Sequence, residues 1–222
     1  METFGDDEDF IRRFYDSFGG EVFTHYDGDV LAGMVNRVPI KYGDHNGGYI
    51  YAACTRPEYR GKGIFRKLMT EAESGMDFMM LIPAEPDLYG MYRGLGYNGT
   101  GYSIFPCEAD TDVFTTPFGG DFKELYRIYL DNLGETDFIK PYDIFVLSMD
   151  YFAEKGMIYA DGDNGFMIYE TNGKNIINIY DIHCKNYVLC DTINAHESGV
   201  YKILDKSLVM PEKMKVNMFM EV

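Results

Sequence analysis

Two glycines flanked by basic residues, in Arg60-Gly61-Lys62-Gly63, form a stretch suited to binding an anion. Apolar residues recur after them at three- and four-residue spacing, which predicts an amphipathic helix from about Ile64. The first turn of a helix has backbone N–H groups without intrahelical partners and carries partial positive charge. A phosphate group can approach those N–H groups closely where the residues are glycine. The stretch predicts a phosphate-binding turn; the simpler alternative is a tight turn with solvated Arg60 and Lys62.

Two buried strands must position this turn. The apolar run from Tyr49 to Cys54 ends before Pro57, which cannot donate to a sheet ladder. Met76 to Ile82 is a second apolar run, and Ser74-Gly75 ends the helix between the two. Two parallel strands joined by one helix form a right-handed βαβ unit, which places the helix start at the C-terminal edge of the strands.

The turn and a downstream helix together resemble one family. At this turn Lys62 is followed by Gly63 and not by Ser or Thr, and Arg66 stands where the third Gly of G-x-G-x-x-G would be, which excludes the Walker and dinucleotide forms there. RGKGIF, Arg60 to Phe65, resembles the Arg/Gln-x-x-Gly-x-Gly/Ala signature of the GCN5-related N-acetyltransferases (GNATs). Phe65 departs from it, although a bulky apolar residue there is similar to the enhanced-intracellular-survival (Eis-like) type. DLYGMYRGLGY, Asp87 to Tyr97, is similar to the family's later helix, which ends in Tyr-x-x-x-Gly-Phe/Tyr.

This resemblance implies an α/β (α+β) fold with a mixed, mostly antiparallel twisted sheet and a V-shaped splay between two parallel strands. It also implies acetyl-CoA as co-substrate, with its pyrophosphate on the amides of the turn and its pantetheine arm along the strand edge. The implied cofactor-binding residues are Ala53, Cys54, Thr55, Arg60, Gly61, Lys62, Gly63, Ile64, Phe65 and Arg66.

Acetyl transfer from a thioester to an amine needs a proton for the leaving thiolate. Tyr92 matches the family's tyrosine that lies beside the sulfur and acts as general acid. A phenol with a pKa of about 10 stays protonated at neutral pH and suits this role. The alternatives are a packing role, since the chain has 19 tyrosines, and Tyr89, one helical turn earlier, as the acid.

The general base is less well defined by the sequence. Glu85 follows the second parallel strand and can reach the cleft, but a salt bridge to Arg93 or Arg56 fits its position equally well. A chain-terminal carboxylate serves in the enhanced-intracellular-survival type, which makes the Val222 carboxylate a candidate. A water molecule is the third alternative.

The N-terminal region departs from the family pattern. Glu21 to His25 and Val30 to Pro39 predict a hairpin around Asp27-Gly28, and residues 44–48 predict the next turn. The first strand and helix that precede such a hairpin in the family are missing, and residues 5–18 look like the tail of that region. Either the chain is short at its start, or another segment such as the C-terminal half covers the exposed surface.

Residues 109–120 contain the Pro and Gly expected of a linker, which predicts two domains, 1–108 and 121–222. The second domain has two helical patterns and then three strand patterns, an order that resembles the opening half of a GNAT domain. We therefore predict a smaller α+β domain that is a degenerate, partial GNAT repeat. It lacks a second Arg-x-x-Gly-x-Gly and is not expected to bind CoA.

The composition limits partners and location. With 20 basic and 36 acidic residues, the net charge is −16, which disfavours nucleic acid and anionic membranes and favours a cationic substrate. The four cysteines and four histidines lack metal-ligand spacing, so no metal is expected. No signal peptide or long apolar run occurs, and a cytoplasmic location is expected. A homo-oligomer is compatible with the sequence but not specified by it.

The predicted function is acetyl-CoA-dependent N-acetylation of a primary amine on a small molecule or of an exposed amino group, by direct attack. Two alternatives stay open. One is a non-catalytic CoA- or protein-binding module of the same fold, and the other is transfer of a longer acyl or an aminoacyl group.

Overall fold

The computed structural model of this chain describes Arg12, Tyr15, Asp16 and residues 20–104, 116–173, 176–184 and 195–216. The described residues form ten strands and four α-helices. In chain order they are β1 (Glu21–Asp27), β2 (Val30–Tyr42), β3 (His45–Thr55), α1 (Ile64–Glu73), β4 (Phe78–Leu81), α2 (Leu88–Arg93), β5 (Gly99–Ile104), α3 (Phe122–Asp131), α4 (Tyr142–Glu154), β6 (Ile158–Ala160), β7 (Gly165–Thr171), β8 (Ile176–Cys184), β9 (Ala195–Ile203) and β10 (Lys213–Lys215). None of the helices in this described part is long and apolar enough to cross a membrane.

The strands form a large mixed sheet and a small antiparallel one. The large sheet has seven strands in the order β1-β2-β3-β4-β9-β5-β10, and the small sheet has three in the order β6-β7-β8. In the large sheet only the pairs β3/β4 and β5/β10 are parallel. The predicted α/β fold with a mixed, mostly antiparallel sheet is confirmed.

The large sheet takes strands from both sides of the predicted 109–120 linker. β9 lies between β4 and β5, and β10 lies at the edge beside β5, although both follow the small sheet in the sequence. The division into 1–108 and 121–222 therefore does not describe this sheet, because part of the second segment completes it. Independent folding of the two parts and the partial repeat stay predictions.

The prediction of a turn at residues 44–48 is wrong for Gly47 and Gly48, which lie within β3. The turn consists of Gly43 and Asp44, and β3 already begins at His45. Gly47 and Gly48 pair with Phe78 and Met79 of β4, and a Cβ on either glycine would overlap the side chain of its partner. Glycine is required there by the close approach of two buried side chains, not by a turn.

Different parts of the chain cover the two faces of the large sheet. α1 places Ile64, Leu68 and Met69 on one face, in a core with strand residues such as Val35. Each such side chain contributes about 1.5–3 kcal/mol when fully buried. On the other face, residues from the C-terminal half, including Ile144 of α4, join strand residues in a second core. The C-terminal half therefore covers one face of the sheet.

A buried charged cluster links the small sheet to the edge of the large one. Lys215 of β10 forms an ion pair with Asp181 of β8, and its Nζ lies 3.3 Å from a carboxylate oxygen of Asp137. His183 Nε2 lies 2.9 Å from Asp181 Oδ2. Lys140 is also buried, and burial together with the nearby Lys215 charge lowers the pKa of Lys140 to about 8 against the opposing effect of Asp181.

Replacing Lys140 by Met is expected to stabilise the protein at pH 7. The pKa of Lys140 is lower in the folded chain than in the unfolded one, so the unfolded chain binds more protons between about pH 8 and pH 10.5. The free energy of unfolding therefore rises with pH across this window. Lys140→Met should abolish this rise and should increase the free energy of unfolding at pH 7 by about 1–3 kcal/mol. Urea unfolding at pH 7, 8, 9 and 10 measures both effects.

The matched variant Lys215→Met should have the opposite sign. It leaves Asp181 buried without its ion-pair partner, a change that costs about 3–5 kcal/mol. A Lys140→Met protein as destabilised as Lys215→Met would show that both ammonium groups are required by the cluster.

Candidate functional site

The two central parallel strands separate toward their C-terminal ends. β3 and β4 pair only through Gly47–Phe78, Gly48–Met79 and Tyr49–Met80. β3 then continues to Thr55 without pairing to β4. This is the V-shaped splay that the family resemblance implied, and it leaves one edge of β3 free of a β4 partner.

The free part of β3 also contains a β-bulge. Ile50 pairs with Arg37 of β2 and Ala53 pairs with Val35, so β3 advances by one residue more than β2 over this segment. Bulges bend a strand and redirect its backbone groups, and they occur often beside active sites. The predicted thioester-contacting residues, Ala53 to Thr55, lie at the end of this bulged segment.

Cys54 and Thr55 differ in what their side chains can contribute. The Cys54 thiol is half-buried, and burial raises its pKa, so it is a thiol rather than a thiolate at neutral pH. The Thr55 hydroxyl oxygen is buried and has no hydrogen-bond partner within the described part of the chain. The structure therefore favours packing over nucleophilic catalysis for Cys54.

The turn before α1 is open to an anion. Gly61 and Gly63 have φ values of 75° and 79°, in the left-handed region that favours glycine, and no atom lies within 4 Å of where their Cβ atoms would be. Gly63 is the N-cap of α1, and no side chain caps this helix end. The first N–H groups of α1 are therefore not occupied by a capping side chain.

Basic side chains surround this open helix end. Arg60 Nε donates to the Thr55 carbonyl oxygen at 3.2 Å, and Lys62 Nζ lies 4.6 Å from the centroid of the Tyr59 ring. Arg66 is exposed on the first turn of α1. Within the described residues, Arg60, Lys62 and Arg66 form no salt bridge with a carboxylate, so their charges are available to a bound anion.

Tyr92 lies on α2 in an aromatic and largely buried setting. Its side chain is 6% exposed, and its ring centroid is 6.0 Å from that of Phe65 and 6.0 Å from that of Tyr97, with edge-on geometry in both pairs. Burial raises the pKa of Tyr92 to about 12. The phenol is therefore protonated throughout the neutral range and can act as a proton donor.

The candidate bases are not brought together with Tyr92 in a defined network. Glu85 is exposed, and its backbone oxygen accepts from Leu88 N at 3.0 Å. In the part of the chain that the structure describes, Glu85 forms no salt bridge with Arg93 or Arg56. Val222 lies outside the described residues. The roles of Glu85, Val222 and water stay predictions.

Among the residues that the structure describes, the fold brings together one group with metal-ligand chemistry that spacing could not reveal. His45, Asp77 and Asp205 have ligand atoms within 4.8 Å of one another, at the opposite end of β3 from Thr55. The Asp205 carboxylate already accepts hydrogen bonds from Ser207, and Asp77 Oδ2 accepts from Asn46 N at 2.8 Å. These carboxylates therefore have partners within the protein.

Comparison with known proteins agrees with this geometry. The family model for the acetyltransferase (GNAT) domain matches residues 2–99, which include the splay, the glycine turn and Tyr92. No curated protein sequence matches the chain.

Several solved structures share the fold. A GCN5-related N-acetyltransferase from Kribbella flavida is 15% identical, with 81% of this chain and 59% of that chain covered and a TM-score of 0.53. Eis1 from Mycobacterium abscessus is 10% identical, with 92% and 73% covered and a TM-score of 0.60. A GCN5-related N-acetyltransferase from Anabaena variabilis is 17% identical, with 90% and 66% covered and a TM-score of 0.59.

These identities show a common fold and nothing finer, and the chain spans 59% of the length of the Kribbella flavida protein. The family match covers the residues that form the splay, the glycine turn and α2. Residues 2–99 match the acetyltransferase (GNAT) domain model, and the chain has a fold like that of Eis1.

Proposed function

We propose that this chain is a cytoplasmic N-acetyltransferase that moves an acetyl group from acetyl-CoA to a primary amine of a small molecule or to an exposed amino group. The observation that carries the proposal is the start of α1, which no side chain caps, with Gly61 and Gly63 in open left-handed positions beside basic side chains that form no salt bridge within the described residues. A diphosphate matches that site in charge and in its need for backbone N–H donors. The pantetheine arm carries amide groups that can pair with the free edge of β3.

In this proposal the amine nitrogen attacks the thioester carbonyl carbon, so a C–N bond forms and the C–S bond breaks. Backbone N–H groups at the bulged end of β3 are candidates to stabilise the developing oxyanion, a role worth about 3–4 kcal/mol per preorganised donor. Tyr92 gives its proton to the leaving thiolate. The proton lost by the amine goes to Glu85, to water or to the Val222 carboxylate.

The acceptor is proposed to be cationic before it reaches the site. The net charge of −16 favours approach of a protonated amine over approach of an anion. The amine must lose one proton before attack, which is why a base is required. An aminoglycoside, a polyamine and a lysine side chain all meet these conditions.

A non-catalytic CoA- or protein-binding module is the second candidate. It is favoured by Glu85, which is exposed and makes no ion pair in the described residues that would hold it toward the cleft. This candidate keeps the phosphate site of α1 and assigns no proton transfer to Tyr92. A longer acyl or an aminoacyl donor would use the same turn.

Calorimetry with acetyl-CoA tests binding of the CoA group at the glycine turn, which all of these proposals require. Binding is expected in the micromolar range that is usual for enzyme substrates, from about 1 μM to 1 mM. Absence of binding at millimolar acetyl-CoA would contradict the assignment of the glycine turn as the diphosphate site. Release of free CoA thiol with kanamycin A, spermidine or Nα-acetyl-lysine then separates the candidates, because binding without product on any amine supports the non-catalytic module.

A further inference from the structure

Phe65 occupies an unusual position for a residue of its size. It is the second residue of α1, directly after the glycine turn, at the position where the family signature has Gly or Ala. Its side chain is half-buried and packs against the core that contains Leu68 and Met69, three and four residues later. Phe65 thus lies next to Ile64, the first buried residue of α1, and beside the proposed diphosphate site.

The ring of Phe65 reaches across to the helix that carries Tyr92. The two ring centroids are 6.0 Å apart with an interplanar angle of 67°, an edge-on arrangement that aromatic pairs favour. Tyr97 contacts Tyr92 with a centroid distance of 6.0 Å and an angle of 70°. Tyr92 therefore contacts one ring from α1 and one from the segment before β5.

The Phe65 ring acts on Tyr92 by packing and not by hydrogen bonding. The Phe65 ring offers no hydrogen-bond donor or acceptor, so it cannot compete for the phenol proton. It also excludes water from the side of Tyr92 that it covers, and burial is the cause that raises the pKa of Tyr92. A Gly or Ala at position 65 would leave that side of the ring without a contact.

We propose that Phe65 is a positioning residue that fixes the orientation of the Tyr92 phenol relative to the turn that holds the diphosphate. This inference rests on the proposed function, in which Tyr92 protonates the thiolate. Because Phe65 follows Gly63 by two residues, the same helix turn positions both the cofactor phosphates and the acid. Its backbone amide contributes to the phosphate site, and its ring acts on Tyr92.

A double-mutant cycle with Tyr92 separates positioning from general packing. Phe65→Ala is expected to lower kcat at least tenfold with a change of no more than about threefold in the KM for acetyl-CoA. In a Tyr92→Phe background the same substitution should change kcat by less than twofold, because the acid it positions is absent. Effects that multiply in the double variant would overturn the proposal. Phe65→Tyr keeps the ring and should retain more of kcat than Phe65→Ala.

Phe23→Ala is the matched control. Phe23 is a half-buried phenylalanine against the same core, and within the described residues its ring lies under the Arg37 guanidinium rather than beside Tyr92. Phe23→Ala removes one aromatic ring from this core without removing a contact to Tyr92. In this variant kcat should fall less than twofold. An equal loss of kcat in Phe23→Ala and Phe65→Ala would also overturn the proposal.

A titration that needs no turnover distinguishes failure of this inference from failure of the proposed function. With tyrosine labelled by 13C at Cζ, the Tyr92 signal is assigned by its loss in Tyr92→Phe. Phe65→Ala is expected to lower the pKa of Tyr92 from about 12 by at least half a pH unit, and Phe23→Ala to leave it in place. An unchanged pKa in Phe65→Ala would overturn the inference even in a protein that acetylates no amine.

Discussion

Gly63→Ala is expected to weaken acetyl-CoA binding by about 100-fold or more while leaving the protein folded. The φ of Gly63 is 79°, and a residue with a Cβ costs about 1–2 kcal/mol in that conformation. The chain relieves this strain by rotating the peptide, which turns the first N–H groups of α1 away from the phosphate site. A hydrogen bond to a charged group contributes about 1.5–3 kcal/mol, so loss of two such bonds accounts for the expected change. Calorimetry with acetyl-CoA measures it.

Gly75→Ala is the matched control for this substitution. Gly75 lies just beyond the other end of α1, has a φ of 77° and likewise has no atom within 4 Å of its Cβ position. Both variants should lose about 1–2 kcal/mol of stability in urea unfolding, because the backbone strain is the same. Only Gly63→Ala should lose affinity for acetyl-CoA. An equal loss of affinity in both variants would mean that the strain acts through the whole helix.

Tyr92→Phe is expected to lower kcat by about 100-fold or more, because a positioned general acid contributes about 10²–10⁴ to the rate. The affinity for acetyl-CoA should change less than about twofold, since the phenol is proposed to act on the sulfur and not on the phosphates. Thiol release under single-turnover conditions, with calorimetry alongside, measures both quantities. Tyr89→Phe removes a hydroxyl one helical turn earlier and serves as control; a larger loss there would move the acid to Tyr89.

The pH dependence of the proposed activity provides a separate check on Tyr92. Its pKa is raised to about 12 by burial, so the acid form is present at any pH below that value and is lost only above it. Tyr92 should therefore cause no alkaline decline in kcat between pH 7 and pH 10. A decline in this range that disappears in Tyr92→Phe would contradict the raised pKa.

Local features of the chain were predictable from the sequence because short-range physics determines them. The helix from Tyr142 to Glu154 begins directly after Pro141, and α1 begins after Gly63 as its apolar spacing requires. Asp121 is of a residue type that N-caps prefer, and its side chain accepts from Glu124 N at 2.9 Å. The glycine turn and Tyr92 were predictable as candidate site residues because their motifs are short and contiguous.

Long-range features were not predictable in the same way. The Gly47-Gly48 pair has the composition of a turn, and only the position of β4 shows that two large side chains need this space. The contact between Phe65 and Tyr92 joins two helices whose relative placement no periodicity specifies. The group of Asp181, His183 and Lys215 likewise draws on two strands of different sheets.

The central position of β9 has a consequence for the nascent chain. β4 and β5 do not pair with each other, and each gains its antiparallel neighbour only when residues 195–203 arrive. On the ribosome, β4 has one hydrogen-bonding edge exposed and β5 has both exposed while about ninety further residues (roughly, from 104 to 195) are synthesised, a state that invites edge-to-edge aggregation. The late strand β9 therefore determines when β4 and β5 are joined into one sheet.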